Sequence, residues 1–530
     1  MRNLELPGRS PAHATNGMAA TSNYLSTMAA VRVLQEGGNA MDAAVAACAV
    51  QCVVEPGSTG IGGDCFMLMS KGGSADIKAF NGSGRAPAAA NADWYVERGI
   101  KKIERYTPHA VTVPGAVDAW SQLLRDHGTK GLDELLQPAI DYARNGYPVH
   151  SRASVDWADG VTTLSHNPNA KRVMLPGGKP PKVGTLHYQP ELADTLELIA
   201  KQGRDAFYRG RVAEDIVNHL RELGGLHTLD DFAEAKGEYV DPVKTNYRGY
   251  DVFECPPNGQ GIIALEMLNI LSGYDLSSMD PVSVERFHLL TEASRLAMRD
   301  RDDVVADPSM AQVPADWLLS LEHAAELRGR IANDRAMTPP PPGKARAHAD
   351  TVYLCVVDKD RNAVSFINSL FSGYGSGIMS PTTGVMLQNR GQGFIIEPGH
   401  PNCIAPRKRP MHTIIPGMMV KDGRAVMPFG VMGGQYQAVG HTQLLTNLID
   451  FGLDIQEAID LPRVFANPGQ DVEVESGVPE AVCDGLKALG HKLKAPPKPQ
   501  GGGQAIMIDW EEGVLTGGSD PRKDGAAFGY

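Results

Sequence analysis

The chain has 530 residues, of which 42% are hydrophobic and 21% are charged, and this composition predicts a globular protein with a large core. A formal charge of −12 at pH 7 argues against a nucleic-acid-binding protein, because binding phosphates requires clustered Lys and Arg. The amino terminus lacks the apolar segment of a secretory signal, and no later segment reaches the roughly 18 apolar residues of a membrane span. We therefore expect a cytoplasmic protein that has no nucleic-acid or membrane partner.

The cysteine and histidine pattern bears on redox state and metal binding. The seven cysteines are an odd number, lie mostly among apolar neighbours and have no paired metal-ligand spacing. We expect them to be reduced core residues. Because the histidines add no zinc-like spacing, the sequence predicts neither a metal nor an organic cofactor.

The first strong helix signal lies at residues 38–50, where small, helix-forming side chains follow Asn39, a residue suited to cap a helix. The glycine-rich segment 55–64 comes next, before the apolar residues 65–69. Glycine loops can bind phosphate, but this one lacks the Walker lysine pattern and a clear preceding strand. We therefore predict a buried helix followed by a loop that binds no nucleotide.

The middle of the chain, residues 113–331, contains several helix-like stretches, including 191–200 and 284–301, separated by loops with Pro and Gly. The proline run 339–342 cannot continue a helix or donate ladder hydrogen bonds. The sequence therefore predicts an exposed linker over about residues 332–350.

A β-hairpin is predicted directly after this linker, because residues 351–357 and 363–368 are rich in β-forming side chains and flank a turn. A Thr hydroxyl is a poor nucleophile until a base lies within hydrogen-bond reach, and a free N-terminal amine on the same residue is such a base. An exposed linker that ends on a strand-initial Thr suits this chemistry, so the Asp350–Thr351 bond is a candidate cleavage site. A linker that meets a strand is common, however, and this arrangement alone does not establish catalysis.

Several further segments resemble the γ-glutamyltranspeptidase family across nearly the whole chain. The matching segments are 38–68, 113–117, 351–360, 375–378, 430–434 and 519–522. The resemblance implies an N-terminal-nucleophile hydrolase of class α+β, with a four-layer αββα sandwich. It also implies one precursor, cut autocatalytically between Asp350 and Thr351 into fragments 1–350 and 351–530 that stay together as one folded unit.

The same resemblance implies roles for four residues. Thr351 matches the nucleophile and, through its freed amine, serves as its own base. Ser369 stands where the family has a hydroxyl that orients the nucleophile, and Ser keeps the donor. Gly433 and Gly434 match the pair whose backbone N–H groups form the oxyanion hole, a role that requires close backbone approach.

The chain departs from the family where a γ-glutamyl enzyme holds the substrate's α-ammonium group. Phe371 stands where the family has Asn, Arg390 where it has Gln or Glu, and Gly393 where it has the Asp that pairs with the ammonium. Without these acceptors, the resemblance does not carry over to a γ-glutamyl substrate.

Donors for a carboxylate are retained. His412 and Thr413 match the family's consecutive serines, and Arg85 lies two residues after Ser83, the position of the family's carboxylate-binding arginine. Together with Arg390 and Phe371, these residues form the predicted substrate pocket. The pattern resembles the oxamate amidohydrolase branch, in which a small amide next to a carboxylate is hydrolysed.

Alternatives remain at this stage. The enzyme could be a glutathione hydrolase or γ-glutamyltransferase that holds the ammonium differently, or an uncleaved homologue that only binds a partner. Arg85 could form a structural salt bridge, Arg390 could be a solvent-exposed loop residue, and His412 could be a hydrogen-bonded histidine of the core. The natural amide, the acceptor and a homo-oligomeric state are left open.

Overall fold

Two seven-stranded antiparallel sheets, packed face to face, form the centre of the structure. The structure is a computed structural model that describes residues 8–338, 351–466 and 471–530. In these ranges the strands are β1 (Ala12–Ala14), β2 (Met18–Thr21), β3 (Asp64–Ser70), β4 (Ile77–Gly82), β5 (Tyr147–Pro148), β6 (Leu186–His187), β7 (Glu238–Val240), β8 (Val243–Tyr247), β9 (Tyr250–Glu254), β10 (Val352–Val357), β11 (Ala363–Ser369), β12 (Gly417–Lys421), β13 (Arg424–Met432), β14 (Val464–Phe465), β15 (Val472–Val474), β16 (Leu493–Lys494), β17 (Gly502–Ile508), β18 (Leu515–Ser519) and β19 (Ala526–Gly529).

Helices cover the outer faces of both sheets. In the described ranges the α-helices are α1 (Tyr24–Gln35), α2 (Ala40–Val54), α3 (Ala92–Glu97), α4 (Ala116–His127), α5 (Leu132–Leu135), α6 (Gln137–Asn145), α7 (Ser151–Ser165), α8 (Pro168–Met174), α9 (Pro190–Gln202), α10 (Asp205–Tyr208), α11 (Arg211–Glu222), α12 (Leu229–Ala233), α13 (Gly261–Leu271), α14 (Val284–Val304), α15 (Ala315–Leu318), α16 (Leu321–Arg328), α17 (Tyr436–Ile449), α18 (Ile455–Asp460) and α19 (Glu480–Ala488). Not one of them is long and apolar enough to cross a membrane.

The strand order defines the two sheets. Sheet I runs β1-β18-β17-β13-β12-β9-β8, and sheet II runs β19-β2-β10-β11-β3-β4-β7. One buried apolar cluster fills the space between the sheets, a second joins sheet II to helices that include α1 and α2, and a third joins sheet I to α13, α14 and α17. This arrangement confirms the predicted four-layer αββα sandwich.

The helix predicted from residue 38 onward is α2, and its start follows from local chemistry. The Asn39 side chain accepts from the Met41 and Asp42 N–H groups, and the Asp42 carboxylate accepts from the Asn39 N–H, which completes a capping box. All residues of α2 are buried, because their small side chains allow α1 and sheet II to pack closely on either side. The helices predicted at 191–200 and 284–301 are confirmed as α9 and α14.

The predicted hairpin is confirmed as β10 and β11, with Val352 opposite Asn368 and Val357 opposite Ala363. Ser369 closes the second strand, one residue beyond the predicted end. Residues 339–350, which make up most of the predicted linker and include Asp350, lie outside the described residues. The seven cysteines are free and mostly buried, as expected.

The close packing of the two sheets generates a first prediction, at Gly430 of β13. A Cβ at this position would collide with the Tyr353 ring of β10 on the facing sheet, and a rigid ring cannot swing away. We expect Gly430→Ala to destabilise the fold by about 1–3 kcal/mol, as overpacked cores do. Calorimetric melting checks this, with exposed Gly329→Ala as the control: Gly329 has helical backbone angles, and a Cβ there would come no closer than 3.3 Å to its nearest neighbour, the Glu326 carbonyl oxygen. Equal melting temperatures for the two variants would contradict the tight inter-sheet contact.

Candidate active site

The β10–β11 hairpin places Thr351 and Ser369 side by side at one edge of the inter-sheet space. Thr351 directly precedes β10 and is 1% exposed, and its Oγ1 lies 3.2 Å from Ser369 Oγ. The pairing of Val352 with Asn368 fixes this proximity. Because the two strands are antiparallel, Thr351, just before Val352, must lie opposite Ser369, just after Asn368. Gln437 Nε2, from the first turn of α17, lies 3.5 Å from Thr351 Oγ1. Two sequence-predicted residues therefore meet, and a third, unpredicted one joins them.

Ser369 is polarised toward Thr351 by two donors. Its Oγ accepts the Phe371 backbone N–H at 2.9 Å and an N–H of the Arg390 guanidinium at 3.3 Å. Phe371 has a φ of 83°, a conformation that non-glycine residues rarely adopt, and this turn brings its N–H back to Ser369. A hydroxyl that accepts from a cation is a better donor, so this geometry suits Ser369 for a hydrogen bond to Thr351 Oγ1.

Arg390 is a fully buried cation at the centre of the site. Besides Ser369, its guanidinium donates to Thr413 Oγ1 at 3.0 Å and lies 4.2 Å above the Phe371 ring. Its Nε has no hydrogen-bond partner among the residues that the structure describes. Burial lowers the pKa of Arg390 to about 9, and the nearby Asp64 carboxylate opposes that change. The side chain therefore stays charged at neutral pH, and its interpretation as an exposed loop residue is wrong.

Asp64, at the first position of β3, was not predicted as a site residue. Its Oδ2 accepts from His412 Nε2 at 3.1 Å. Its Oδ1 accepts from the Gly84 and Gly115 N–H groups and from Gln388 Nε2, at 2.9, 3.2 and 2.9 Å. A buried carboxylate that accepts so many hydrogen bonds is fixed in place and in turn fixes the loops that bond to it.

The charges of Asp64, His412 and Arg390 are interdependent. Burial raises the pKa of Asp64 to about 6, while Arg390 and the hydrogen bonds from Gln388 and the glycines work in the opposite direction. Burial and then the positive charge of Arg390 hold the pKa of His412 well below its usual range. A neutral His412 with its proton on Nε2 donates to Asp64 and accepts the Ile414 N–H at Nδ1, 3.3 Å away. At neutral pH, Asp64 is thus the ionised counter-charge to Arg390.

Gly433 and Gly434 connect β13 of sheet I to α17, with φ values of 130° and 61°. Neither N–H group donates to an acceptor within the described part of the chain. The Gly434 carbonyl accepts from Gln260 Nε2 at 2.9 Å, and the same amide donates to the Thr413 carbonyl at 2.9 Å. Gln260 therefore holds the two-glycine turn in register with the segment that contacts Arg390.

His412 and Gly393 stand at two further positions that the family resemblance singled out. Both His412 ring nitrogens bond within the protein, so the structure gives it a supporting contact to Asp64. A Cβ on Gly393 would lie 3.0 Å from the Met411 carbonyl oxygen, so an acidic side chain would need that segment to move.

Arg85 lies apart from this group. It is half-buried, donates to the Arg407 carbonyl at 3.1 Å and pairs with Glu238 and Asp307 at 3.5 and 3.7 Å. It lines a cavity of about 270 Å³ together with Gly84 and Gly115, whose N–H groups donate to Asp64. Its role in substrate binding stays a prediction.

Comparison with known proteins identifies the family. The family model described as Gamma-glutamyltranspeptidase matches residues 26–530. The chain belongs to the γ-glutamyltranspeptidase family. The "Glutathione hydrolase-like YwrD proenzyme" of Bacillus subtilis is 39% identical to it, over 97% of this chain and 98% of the relative. The "Oxamate amidohydrolase proenzyme" of Klebsiella pneumoniae is 33% identical, over 97% and 99%.

A solved structure agrees with this membership. The chain is similar to a cephalosporin acylase from Bacillus halodurans, with a TM-score of 0.93, 39% identity, and coverage of 100% of this chain and 99% of the acylase. By family and fold the protein is an enzyme, an N-terminal threonine amidohydrolase. The comparisons leave the individual site residues to be assigned from geometry.

Sequence reasoning missed Asp64, Gln260, Gln388 and Gln437. Each lies far along the chain from its partner in the site, so no local pattern connects them. A weak signal existed at Asp64, which is an acidic residue at the junction of a glycine-rich loop and an apolar strand. A charge at the start of a fully buried strand requires partners, and those partners mark the site.

The Asp64 carboxylate predicts a pH dependence. Below about pH 6 it is protonated, and the counter-charge to Arg390 and the acceptor for His412 are lost; above that pH it is ionised and the arrangement is restored. We expect kcat/KM to rise as pH increases through about 6, and Asp64→Asn to remove this inflection. Exposed Asp133→Asn is the control and should keep it. An unchanged profile in Asp64→Asn would assign the inflection to another group, such as the amine of Thr351.

Proposed function

We propose that the protein is made as a precursor that cuts itself between Asp350 and Thr351, and that the freed Thr351 hydrolyses a small amide next to a carboxylate. The family membership supports the reaction class, and the hydroxyl contacts of Thr351 support the choice of nucleophile. Each sheet contains hydrogen-bonded strands from both proposed fragments, which would keep 1–350 and 351–530 in one fold after cleavage.

In the proposed reaction, Thr351 Oγ1 attacks the amide carbonyl carbon and its proton passes to the Thr351 amine. The N–H groups of Gly433 and Gly434 stabilise the oxyanion. In comparable sites, each such donor stabilises the transition state by about 3 kcal/mol. The amine then gives the proton to the leaving nitrogen as the C–N bond breaks, which leaves an ester on Thr351. Water attacks this ester with the amine again as the base, and the free acid and the threonine hydroxyl are regenerated.

The observation that carries the substrate proposal is the buried charge of Arg390. A γ-glutamyl substrate would bring an α-ammonium group toward this position, where a guanidinium repels it and a Gln or Glu would accept it. A carboxylate is attracted instead, and Arg390 Nε, which has no hydrogen-bond partner among the described residues, adds a further donor. The charge therefore favours an acid that lacks the α-ammonium.

The position of Arg390 also favours a compact acid. Two successive hydrogen bonds, of 3.2 and 3.3 Å, connect Thr351 Oγ1 to the guanidinium through Ser369 Oγ. A carboxylate that binds Arg390 while the amide carbonyl meets Thr351 must then lie close to that carbonyl. Oxamate, whose carboxylate is bonded directly to the amide carbonyl, is the simplest molecule of this kind.

A glutathione hydrolase is the second candidate, because a 39% identical relative bears the name "Glutathione hydrolase-like". It would require another group to bind the ammonium. An uncleaved homologue that only binds a partner is the third, and it would require the Thr351–Ser369 pair to have no catalytic use.

Cleavage can be tested at the nucleophile. Thr351→Ala removes the hydroxyl, so we expect it to abolish both chain cleavage and amide hydrolysis. Thr351→Ser, the matched control, keeps a hydroxyl and an amine and should retain a measurable part of both. Intact mass spectrometry under denaturing conditions detects fragments that meet between Asp350 and Thr351. Cleavage at that bond in Thr351→Ala, or a wild-type chain that stays whole, would refute the proposal.

Substrate charge can be tested with three amides. Oxamate tests the compact acid, while glutaryl and γ-glutamyl p-nitroanilide differ only in the α-ammonium group. We expect the wild type to hydrolyse oxamate and to prefer the glutaryl over the γ-glutamyl anilide.

Arg390→Gln, which introduces a residue found in the family, should lower kcat/KM for the two carboxylates without ammonium about 10- to 100-fold, the value of one charge-assisted hydrogen bond. It should also shift the anilide ratio toward γ-glutamyl. Arg407→Gln, an equal charge change at an exposed ion pair with Glu234, should leave the ratio unchanged. A wild-type preference for the γ-glutamyl anilide would support the glutathione hydrolase instead.

A further inference from the structure

A second polar cluster lies in the helical layer outside sheet I, where three helices meet. Glu266 of α13, Asp300 of α14 and His323 of α16 place one carboxylate or imidazole atom each within 4.8 Å of one another. His323 Nε2 lies 2.7 Å from Asp300 Oδ2 and 3.4 Å from Glu266 Oε1. None of these residues takes part in the site around Thr351, and sequence spacing gave no sign of them because each comes from a different helix.

Glu266 is the unusual member of the cluster. It is fully buried, yet neither carboxylate oxygen accepts a hydrogen bond from a residue that the structure describes. No Lys or Arg of the described ranges lies within ion-pair distance of Glu266 or Asp300. Burial, together with the negative charge of Asp300, raises the pKa of Glu266 far above its ordinary range. Among the described residues, the fold thus places two carboxylates together beside an imidazole, with no Lys or Arg to balance their charge.

A second histidine–carboxylate cluster among the described residues, formed by His288, Glu292 and His491, has hydrogen-bond partners within the protein. Glu292 accepts from Arg295 and from the Met337 N–H, each within 2.9 Å. His288 bonds to His491 at 2.8 Å through one ring nitrogen and donates to the Ala332 carbonyl through the other, at 2.7 Å. In that cluster the protein supplies an Arg and a backbone N–H as donors, and Glu266 has neither among the described residues.

We propose that Glu266, Asp300 and His323 bind one divalent transition-metal ion of the Zn²⁺ or Co²⁺ type. The two carboxylates balance the charge of the ion, and the imidazole nitrogen favours these ions over Mg²⁺ and Ca²⁺, which prefer oxygen ligands. Bond lengths of about 2.0–2.2 Å require ligand atoms roughly 3.3 Å apart. The 3.4 Å between His323 Nε2 and Glu266 Oε1 already fits this spacing, and the 2.7 Å between His323 Nε2 and Asp300 Oδ2 would have to increase by about half an ångström.

Access and structural consequence fit the same proposal. The Asp300 side chain is 20% exposed, so the ion can enter from that side and keep one water as its fourth ligand. The ion would join α13, α14 and α16. Helix α13 begins directly after Gln260, whose amide holds the Gly434 and Thr413 carbonyls, so the ion would stiffen a helix that supports the catalytic site from behind.

The test uses the whole protein after chelator treatment, titrated with Co²⁺ and followed by visible absorbance and equilibrium dialysis. We expect one Co²⁺ per chain, with the d–d bands of a low-coordinate nitrogen–oxygen site, a higher melting temperature, displacement by Zn²⁺ and no displacement by Mg²⁺. Glu266→Gln and Asp300→Asn should each remove this binding. Asp300 is partly exposed, so its variant serves even where Glu266→Gln fails to fold. His288→Gln, in the hydrogen-bonded cluster, is the matched control and should keep the ion.

Three results would overturn the proposal. They are no Co²⁺ binding at millimolar concentration, binding retained in both carboxylate variants, and loss of binding in His288→Gln alone. If Glu266 and Asp300 instead share a proton, the wild type binds no ion, and Glu266→Gln melts at the same or a higher temperature than the untreated wild type. These readouts do not depend on the substrate of Thr351.

Discussion

The buried guanidinium of Arg390 is the group on which the candidate active site depends. A cation removed from water is costly unless charge and hydrogen bonds compensate it. Asp64 supplies the charge, although the two side chains do not touch, and Ser369, Thr413 and the Phe371 ring supply direct contacts. The positive charge thereby acts on the Ser369 hydroxyl beside Thr351, the proposed nucleophile. On the proposed function, one residue would both orient the nucleophile and attract an acidic substrate.

The two-sheet architecture is what allows these parts to meet. The hairpin of sheet II supplies Thr351 and Ser369, while the turn after β13 of sheet I supplies Gly433 and Gly434. The sheets approach so closely that Gly430 has no room for a Cβ beside the facing strand. Precision at the site therefore rests on the packed core between the sheets, and the catalytic groups lie on regular strands or at their ends.

Local patterns predicted the parts of this structure that local chemistry determines. Short segments were enough to predict the Asn39 cap of α2, the β10–β11 hairpin and the position of Thr351 at a strand start. The family resemblance then supplied Ser369, the glycine pair and the departures at Arg390 and Phe371. Asp64 and Gln437 could not be found this way, because their contacts to His412 and Thr351 span 348 and 86 residues. Such pairings depend on sheet topology, and the hydrophobic periodicity of a single sequence does not reveal the order of strands in a sheet.

The departures at positions 371, 390 and 393 form one consistent set. A cation at 390 is stabilised by an aromatic face, and Phe371 provides one at 4.2 Å where the family has a smaller polar Asn. An Asp at 393, in the same helical turn as Arg390, would compete with a substrate carboxylate for the guanidinium, and Gly393 removes that competitor. Each mismatch arises when one change is made without the others. Arg390 without Phe371 would be a cation without an aromatic face, Arg390 with an Asp at 393 would form an ion pair closed to substrate, and Phe371 without Arg390 would place an apolar ring against an ammonium. On the proposed function, the three changes together would reverse the charge preference of the acyl pocket, while the proposed hydroxyl pair and glycine turn keep the roles that the family resemblance implies.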